Sequence, residues 1–210
     1  MCNLYDIGPA EGKRNESTWE KIAFRGMTEL RSKTFGIRKT DPGLVLVSEA
    51  EFEIMRWGFV RHFNPAINNA RADKLSGGMW KPAWEEKRRC VIPVSTYYEW
   101  SGPAGQKQTH AFQPEQKGQW LWAAGVWEDS PDHGFCYSML TTAGSGKTGH
   151  IHDRMPALLS MDDLPEFLQA PDPQHLLIPS CDVKFAFCEN PLKNPAHEGP
   201  VFIDMLPGFE

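Results

Sequence analysis

Arg89-Cys90-Val91-Ile92-Pro93-Val94-Ser95-Thr96-Tyr97-Tyr98-Glu99-Trp100 is the stretch on which the fold turns. β-Branched and aromatic side chains dominate it, and these pack well on a pleated, half-buried surface. It reads as a strand over 89–100, broken by Ser101-Gly102-Pro103-Ala104-Gly105. Downstream, THAFQ (109–113), WLWAAGVWE (120–128), FCYSMLTT (135–142) and VKFAFC (183–188) carry the same signature. Upstream, LVLVS (44–48) and FEIMRWGFV (52–60) read as two strands joined by Glu49-Ala50-Glu51, behind a turn at Thr40-Asp41-Pro42-Gly43. RHFNPAINNARADKL (61–75) reads as a basic, loop-rich connection. Helices are few. Ser17-Thr18-Trp19-Glu20 is a capping box opening an amphipathic helix over 18–32, with Trp19, Ile22, Ala23, Met27 and Leu30 on its core face. Pro82–Lys87 starts a short helix and 161–169 another, while 6–16 is a loop. Many strands with so few helices predict an α+β domain: a mostly antiparallel, strongly curved, barrel-like sheet system with peripheral helices.

The 210 residues read as a single domain over 1–210, with a motif-bearing core at about 2–190 and an irregular, Pro-rich tail at 191–210. Hydrophobic residues make up 40%, enough for a sizeable core. No apolar run reaches membrane-spanning length and no basic-then-apolar leader opens the chain, so no membrane and a cytoplasmic location are expected. The five cysteines (Cys2, Cys90, Cys136, Cys181, Cys188) are odd in number and form no C-x-x-C pair, which disfavours a disulfide framework or a zinc ribbon. Cys90, Cys136 and Cys188 sit in apolar runs and read as buried hydrophobes. The net charge of −5 argues against broad coating of nucleic acid, yet residues 56–90 hold eight basic and three acidic residues. That stretch is either a local basic face or a solvated helix face.

Five motifs compete for the chemistry. Met1-Cys2 matters if Met1 is removed, because Cys2 then carries a thiol and an α-amine on one carbon, both nucleophilic near neutral pH. Thr142-Ala143-Gly144-Ser145-Gly146-Lys147-Thr148 looks like a phosphate-binding loop, but Thr141 stands where the pattern needs Gly, and no long helix follows. No nucleotide cofactor is expected. His150-x-His152 would put two imidazoles on one strand face, but lacks a third ligand at metal spacing, so no metal is expected and one functional histidine is the simpler reading. Glu99, amid Tyr97, Tyr98 and Trp100, is either an acid/base with a raised pKa or an exposed carboxylate between core aromatics. Asn68-Asn69-Ala70-Arg71-Ala72-Asp73 is a polar loop whose amides and guanidinium suit an amine, an oxyanion or a phosphate.

Taken in order, Met1-Cys2, Arg56-Trp57-Gly58, Asn69-Ala70-Arg71-Ala72, Arg89-Cys90-x-Ile92-Pro93, Tyr98-Glu99-Trp100 and Ile151-His152-Asp153-Arg154-Met155-Pro156 closely resemble the SOS response-associated peptidase family. The resemblance runs from residue 2 to about 160 and more weakly to about 190. It implies a covalent thiazolidine crosslink to abasic sites in single-stranded DNA, with an associated autopeptidase activity. On matching positions, Cys2 is the nucleophile, Asn69 orients its amine and the sugar, Glu99 is the acid/base, and His152 moves protons during ring opening and reversal. Arg71 and Arg154 hold phosphates, Trp57 stacks at unpaired bases, and Trp100 and Arg89 complete the DNA-binding set. A monomer, nucleoid-associated when on DNA, is expected. Two features depart from the pattern. Asn3-Leu4 replace the usual Gly-Arg, and Asp73 replaces the usual Glu. The alternatives are an N-terminal-nucleophile cysteine peptidase or amidase, and a non-covalent lesion-binding module.

Overall fold

The computed structural model describes residues 2–8, 17–30, 33–179 and 183–203. Met1, most of the expected 6–16 loop, positions 31–32 of the expected first helix, Cys181 and residues 204–210 lie outside the described residues. In chain order the elements are β1 (Leu4–Asp6), α1 (Thr18–Glu29), β2 (Ile37–Arg38), β3 (Pro42–Leu46), β4 (Phe52–Trp57), β5 (Phe59–Arg61), β6 (Asn64–Ile67) and β7 (Asn69–Arg71). Then come α2 (Lys81–Glu85), β8 (Arg89–Val94), β9 (Thr96–Ser101), β10 (Gln108–Pro114), β11 (Leu121–Ser130) and β12 (Gly134–Ala143). The series ends with α3 (Gly146–Gly149), β13 (Arg154–Pro156), β14 (Leu158–Leu159), α4 (Leu164–Gln169) and β15 (Val183–Cys188).

The fold is α+β. β12 pairs with both β11 and β4, and this closes β12, β4, β3, β8 and β11 into a five-stranded barrel. Only the β4–β12 seam of that ring is parallel. A second sheet, in the order β15-β10-β9-β1-β2, is antiparallel throughout. The barrel and its neighbours enclose an apolar core that includes Leu44, Val45, Met55, Cys90, Ile92 and Met139. As expected, Cys90, Cys136 and Cys188 are buried thiols.

The stretch 89–100 is not one strand. It is two, and they belong to different sheets. The break falls at Ser95, whose N–H donates to the Asp6 carbonyl of β1 at 2.8 Å. The six preceding residues pair with β11 and β3, and those that follow pair with β1 and β10. A single peptide thus couples the barrel to the sheet that begins beside Cys2. The 61–75 connection also holds more order than composition suggests. β6 folds back on β5, and β7 lies parallel to β12. The 52–60 strand is interrupted at Gly58, where φ is +120°, a conformation that favours glycine.

The capping box at Ser17 is formed: Ser17 N–H donates to Glu20 Oε2 at 3.0 Å, and Glu20 N–H to Ser17 Oγ at 3.1 Å. Helix α1 buries Trp19, Ala23 and Gly26. At the other end of the chain, His197 reaches back to β1. Its Nε2 lies 3.1 Å from Asp6 Oδ2 and 3.1 Å from Tyr98 Oη, and Tyr98 Oη donates to Asp6 Oδ2 at 2.5 Å.

Arg89 is structural, which corrects its expected place on the DNA face. It is 1% exposed. Its guanidinium donates to the carbonyls of Ala170 (2.7 Å), Pro171 (3.0 Å), Phe167 (3.1 Å) and Trp84 (3.3 Å), and lies 4.5 Å from the Trp84 ring centroid. It thereby satisfies carbonyls at the C-terminal end of α4, where a cation is favoured. Arg89→Met leaves these buried acceptors without donors. It should cost about 3 kcal/mol in urea unfolding.

Candidate active site

The site is assembled from four short pieces. β1 fixes the chain just after Cys2, β9 brings Glu99, β7 brings Asn69 and Arg71, and the segment from α3 into β13 brings His152 and Arg154. β12 carries two of these pieces, since Thr141 is register partner to Arg71 on one side and to Pro156 on the other. His152 is set by a close backbone approach. Gly144 N–H donates to the Asp153 carbonyl at 2.8 Å, and a Cβ at Gly144 would lie 2.4 Å from the His152 carbonyl oxygen. The glycine that mimics a phosphate-binding loop in sequence serves this approach.

Cys2 is wholly buried. Two side-chain amides converge on its carbonyl oxygen, Asn69 Nδ2 at 2.7 Å and Asn68 Nδ2 at 3.2 Å. Its Sγ lies 3.5 Å from the Leu4 carbonyl. Burial, and secondarily the charge of Glu99, push the Cys2 thiol well above the ordinary thiol range. The sulfur is therefore a neutral thiol at pH 7, which corrects the expectation that burial-free reference values apply to it. Asn69 Oδ1 is buried with no hydrogen-bond partner among the described residues, which makes it a waiting acceptor.

Glu99 is 1% exposed, and burial pushes its carboxyl up to about 7. Of its two readings, the exposed carboxylate is thereby set aside. Burial also lowers the pKa of His152, outweighing Asp153, which acts in the opposite direction. A neutral His152 accepts the Arg154 N–H on Nδ1 at 3.0 Å, leaving its proton on Nε2. The 2.8 Å approach of Asp153 to the same nitrogen becomes a donated hydrogen bond when that nitrogen carries the proton. The charges of Lys107 and Asp153 reach both Glu99 and His152.

Arg71 grips Asp73 through Nε at 2.9 Å and a second nitrogen at 2.6 Å, which holds the exposed Asp73 carboxyl down at about 2. Arg154 donates to the carbonyl and hydroxyl of Thr141. Burial lowers its pKa, and the neighbouring Arg71 charge lowers it further. Two guanidiniums thus sit side by side at the end of β12. Most of the rest of the basic stretch is engaged in ion pairs or on backbone carbonyls. Arg61 pairs with Glu128, Arg88 with Glu86 and Lys81 with Glu85, while Arg56 and Lys87 donate to backbone carbonyls. Trp57 is wholly buried, its ring edge-on to Tyr5 at 4.9 Å and parallel to Tyr137 at 6.3 Å. A ring so enclosed meets no base, which corrects its expected stacking role. Trp100 is half-buried and packs against Leu4, Tyr98, Ala111 and Cys188, on the face of β9 opposite Glu99. Among the described residues, no group of three His, Cys, Asp or Glu is arranged to hold a metal ion.

The family model described as SOS response associated peptidase (SRAP) matches residues 1–186. The chain belongs to the SRAP family. Among its relatives are the abasic site processing proteins YMR114C of Saccharomyces cerevisiae (30% identical, covering 51% of this chain and 31% of the relative) and YoaM of Bacillus subtilis (30%, 60% and 62%). The abasic site processing protein HMCES of Xenopus tropicalis is 27% identical over 55% of this chain and 44% of the relative. The chain spans less than two thirds of the length of these curated relatives. Crystal structures of proteins from Bacteroides thetaiotaomicron (TM-score 0.69, 16% identical, covering 90% of this chain and 93% of that one) and Bordetella bronchiseptica (0.69, 20%, 90% and 100%) share the fold.

In this SRAP chain, Leu4 occupies the place of the usual Arg and is wholly buried in β1, opposite Arg38. Asn3 is exposed, and its Oδ1 accepts from Asn68 Nδ2 at 3.2 Å. Sequence reasoning placed Asn68 in the polar motif but gave it no individual role, and it passed over Lys107. The doubled asparagine was the available signal for the first. The second lies in a turn-rich segment and is linked to the site only by folding.

Proposed function

We infer that, once Met1 is removed, the chain forms a thiazolidine crosslink with abasic sites in single-stranded DNA, in keeping with the names of its relatives. The observation that carries this reading is the convergence of the Asn69 and Asn68 amides on the Cys2 carbonyl, at a residue near enough to the buried Glu99 carboxyl to feel its charge. A cysteine peptidase needs its thiolate stabilised by a cation, whereas burial and Glu99 do the reverse here. Amine chemistry comes first instead. The freed Cys2 α-amine adds to the sugar aldehyde, and the resulting carbinolamine loses water, with Glu99 taking the nitrogen proton and returning one to the departing hydroxyl. The thiol then adds to the imine carbon. Its proton passes by way of the Glu99 carboxylate to nitrogen, so the net reaction releases one water. Asn69 Oδ1 is an acceptor for the α-amine, and His152 Nε2–H is a donor for the ring oxygen as the sugar opens.

Arg71 and Arg154 hold the phosphates beside the lesion, with Thr141 and Asp73 fixing their directions. Incubating Met1-free protein with an oligonucleotide carrying one abasic site should give a shifted band on a denaturing gel. The reading fails if the wild-type protein gives no such band, or if Cys2→Ala gives it equally. Arg71→Ala should weaken binding to any single strand and reduce the steepness of the salt dependence by about one contact's worth. An unchanged salt slope would remove Arg71 from the phosphate set.

A further inference from the structure

We propose that Asn68 is a positioning residue for Cys2 and that Asn3 acts through it, forming a clamp peculiar to the Asn3-bearing start of this chain. The inference rests on the function proposed above and concerns the same site.

Asn68 is held from both sides. Its backbone carbonyl accepts from Trp57 Nε1 at 2.8 Å and from Met139 N–H at 3.0 Å. Trp57 is itself locked among Tyr5 and Tyr137. The Asn68 backbone is therefore a fixed point of the barrel. Its side-chain amide then reaches outward with two donors, to the Cys2 carbonyl and to Asn3 Oδ1, each at 3.2 Å. The 8% exposure of Asn68 leaves little water to replace these bonds. Together with Asn69 Nδ2 on the same oxygen, two amides fix the plane of the Cys2–Asn3 peptide. Holding that peptide fixes the Cys2 Cα from which nitrogen and sulfur branch, so only rotation about its Cα–C and Cα–Cβ bonds remains. Ring closure needs both atoms on one sugar carbon, so a small rotation of this peptide costs rate. Gly in the place of Asn3 would offer no acceptor to the second amide proton of Asn68. The buried Trp57 also acquires a part in the chemistry, as the anchor of the clamp.

The test is single-turnover crosslinking with Met1-free protein. Asn68→Ala should lower the limiting rate by roughly 10–100-fold at saturating abasic single-stranded DNA, with the half-saturating DNA concentration unchanged. Asn3→Gly should lower it less, and in the Asn68→Ala background it should have no further effect. Asn68→Asp, the same shape with an acceptor in place of the donor, should be at least as slow. It also keeps the test alive if the alanine variant fails to fold by circular dichroism. A rate within twofold of wild type, a change in half-saturation alone, or effects of Asn3→Gly and Asn68→Ala that multiply independently would overturn the proposal. The same variants are assayed for thiazolidine formation with glycolaldehyde, read by intact mass, where no DNA takes part. If wild type crosslinks no DNA, the proposed function falls, and this arm still decides the clamp.

Discussion

Protein on which Met1 is retained, or whose Cys2 α-amine is acetylated, forms no denaturation-resistant complex with abasic single-stranded DNA. The loss is at least about a thousandfold, because an amide nitrogen has its lone pair delocalised and cannot form an imine. The buried, raised thiol does not rescue the reaction by itself, since little thiolate is present at neutral pH. Cys2→Ser with a free amine separates the two steps. It should form an imine with the sugar that borohydride traps as a stable secondary amine. Without the reductant the link hydrolyses, because no sulfur closes the ring. Trapping of Cys2→Ser alongside complete loss in the acetylated wild type would support amine-first chemistry. A full-strength complex from acetylated protein would sink it, and would return the peptidase-like, thiol-first reading.

Glu99→Gln gives a slower and more stable protein. Its amide is nearly isosteric but moves no proton, so crosslinking should slow by about a hundredfold or more. Stability moves the other way, and the sign follows from the folded-state carboxyl. Burial raises Glu99 from the ordinary carboxylate range to about 7. The folded protein thus binds this proton more tightly than the unfolded chain, and the stability this confers is complete below pH ~4.5. It is lost as pH rises to about 7. Above pH 7 the wild type carries a buried, ionised carboxylate, and the Gln variant does not. Glu99→Gln should therefore unfold at higher urea at pH 8, with a gain of about 2–3 kcal/mol, and match wild type near pH 4.5. Equal urea midpoints at pH 8 would show that Glu99 is not held in a raised state. The wild-type crosslinking rate should also climb between pH 6 and 8 as the carboxylate form fills.

The ordered motifs made the family of this chain legible before its geometry. The strand-rich barrel followed from runs such as 120–128 and 135–142, whose continuous apolar and aromatic content survives in β11 and β12 almost residue for residue. The division of 89–100 between two sheets did not, because Ser95 looks like any strand residue until Asp6 supplies its acceptor. Short strands such as β7 were hidden for a similar reason. Asn69-Ala70-Arg71 has no strand propensity of its own and is extended only because β12 lies beside it. At the site, side-chain chemistry pointed to Cys2, Asn69, Glu99 and His152, but residue type says nothing about burial. Trp57 and Arg89 show the cost. Both are residue types that suit nucleic acid, and both are enclosed, one anchoring Asn68 and the other capping α4.

The contact between His197 and Asp6 bears on the order in which the molecule folds. The partners of β1 lie far along the sequence: Tyr98, 92 residues beyond Asp6, and His197, 191 residues beyond it. Such distant pairings are slow to form. The strand that leads from Cys2 is therefore secured by pairings distant in sequence, and a change at His197 loosens it from afar.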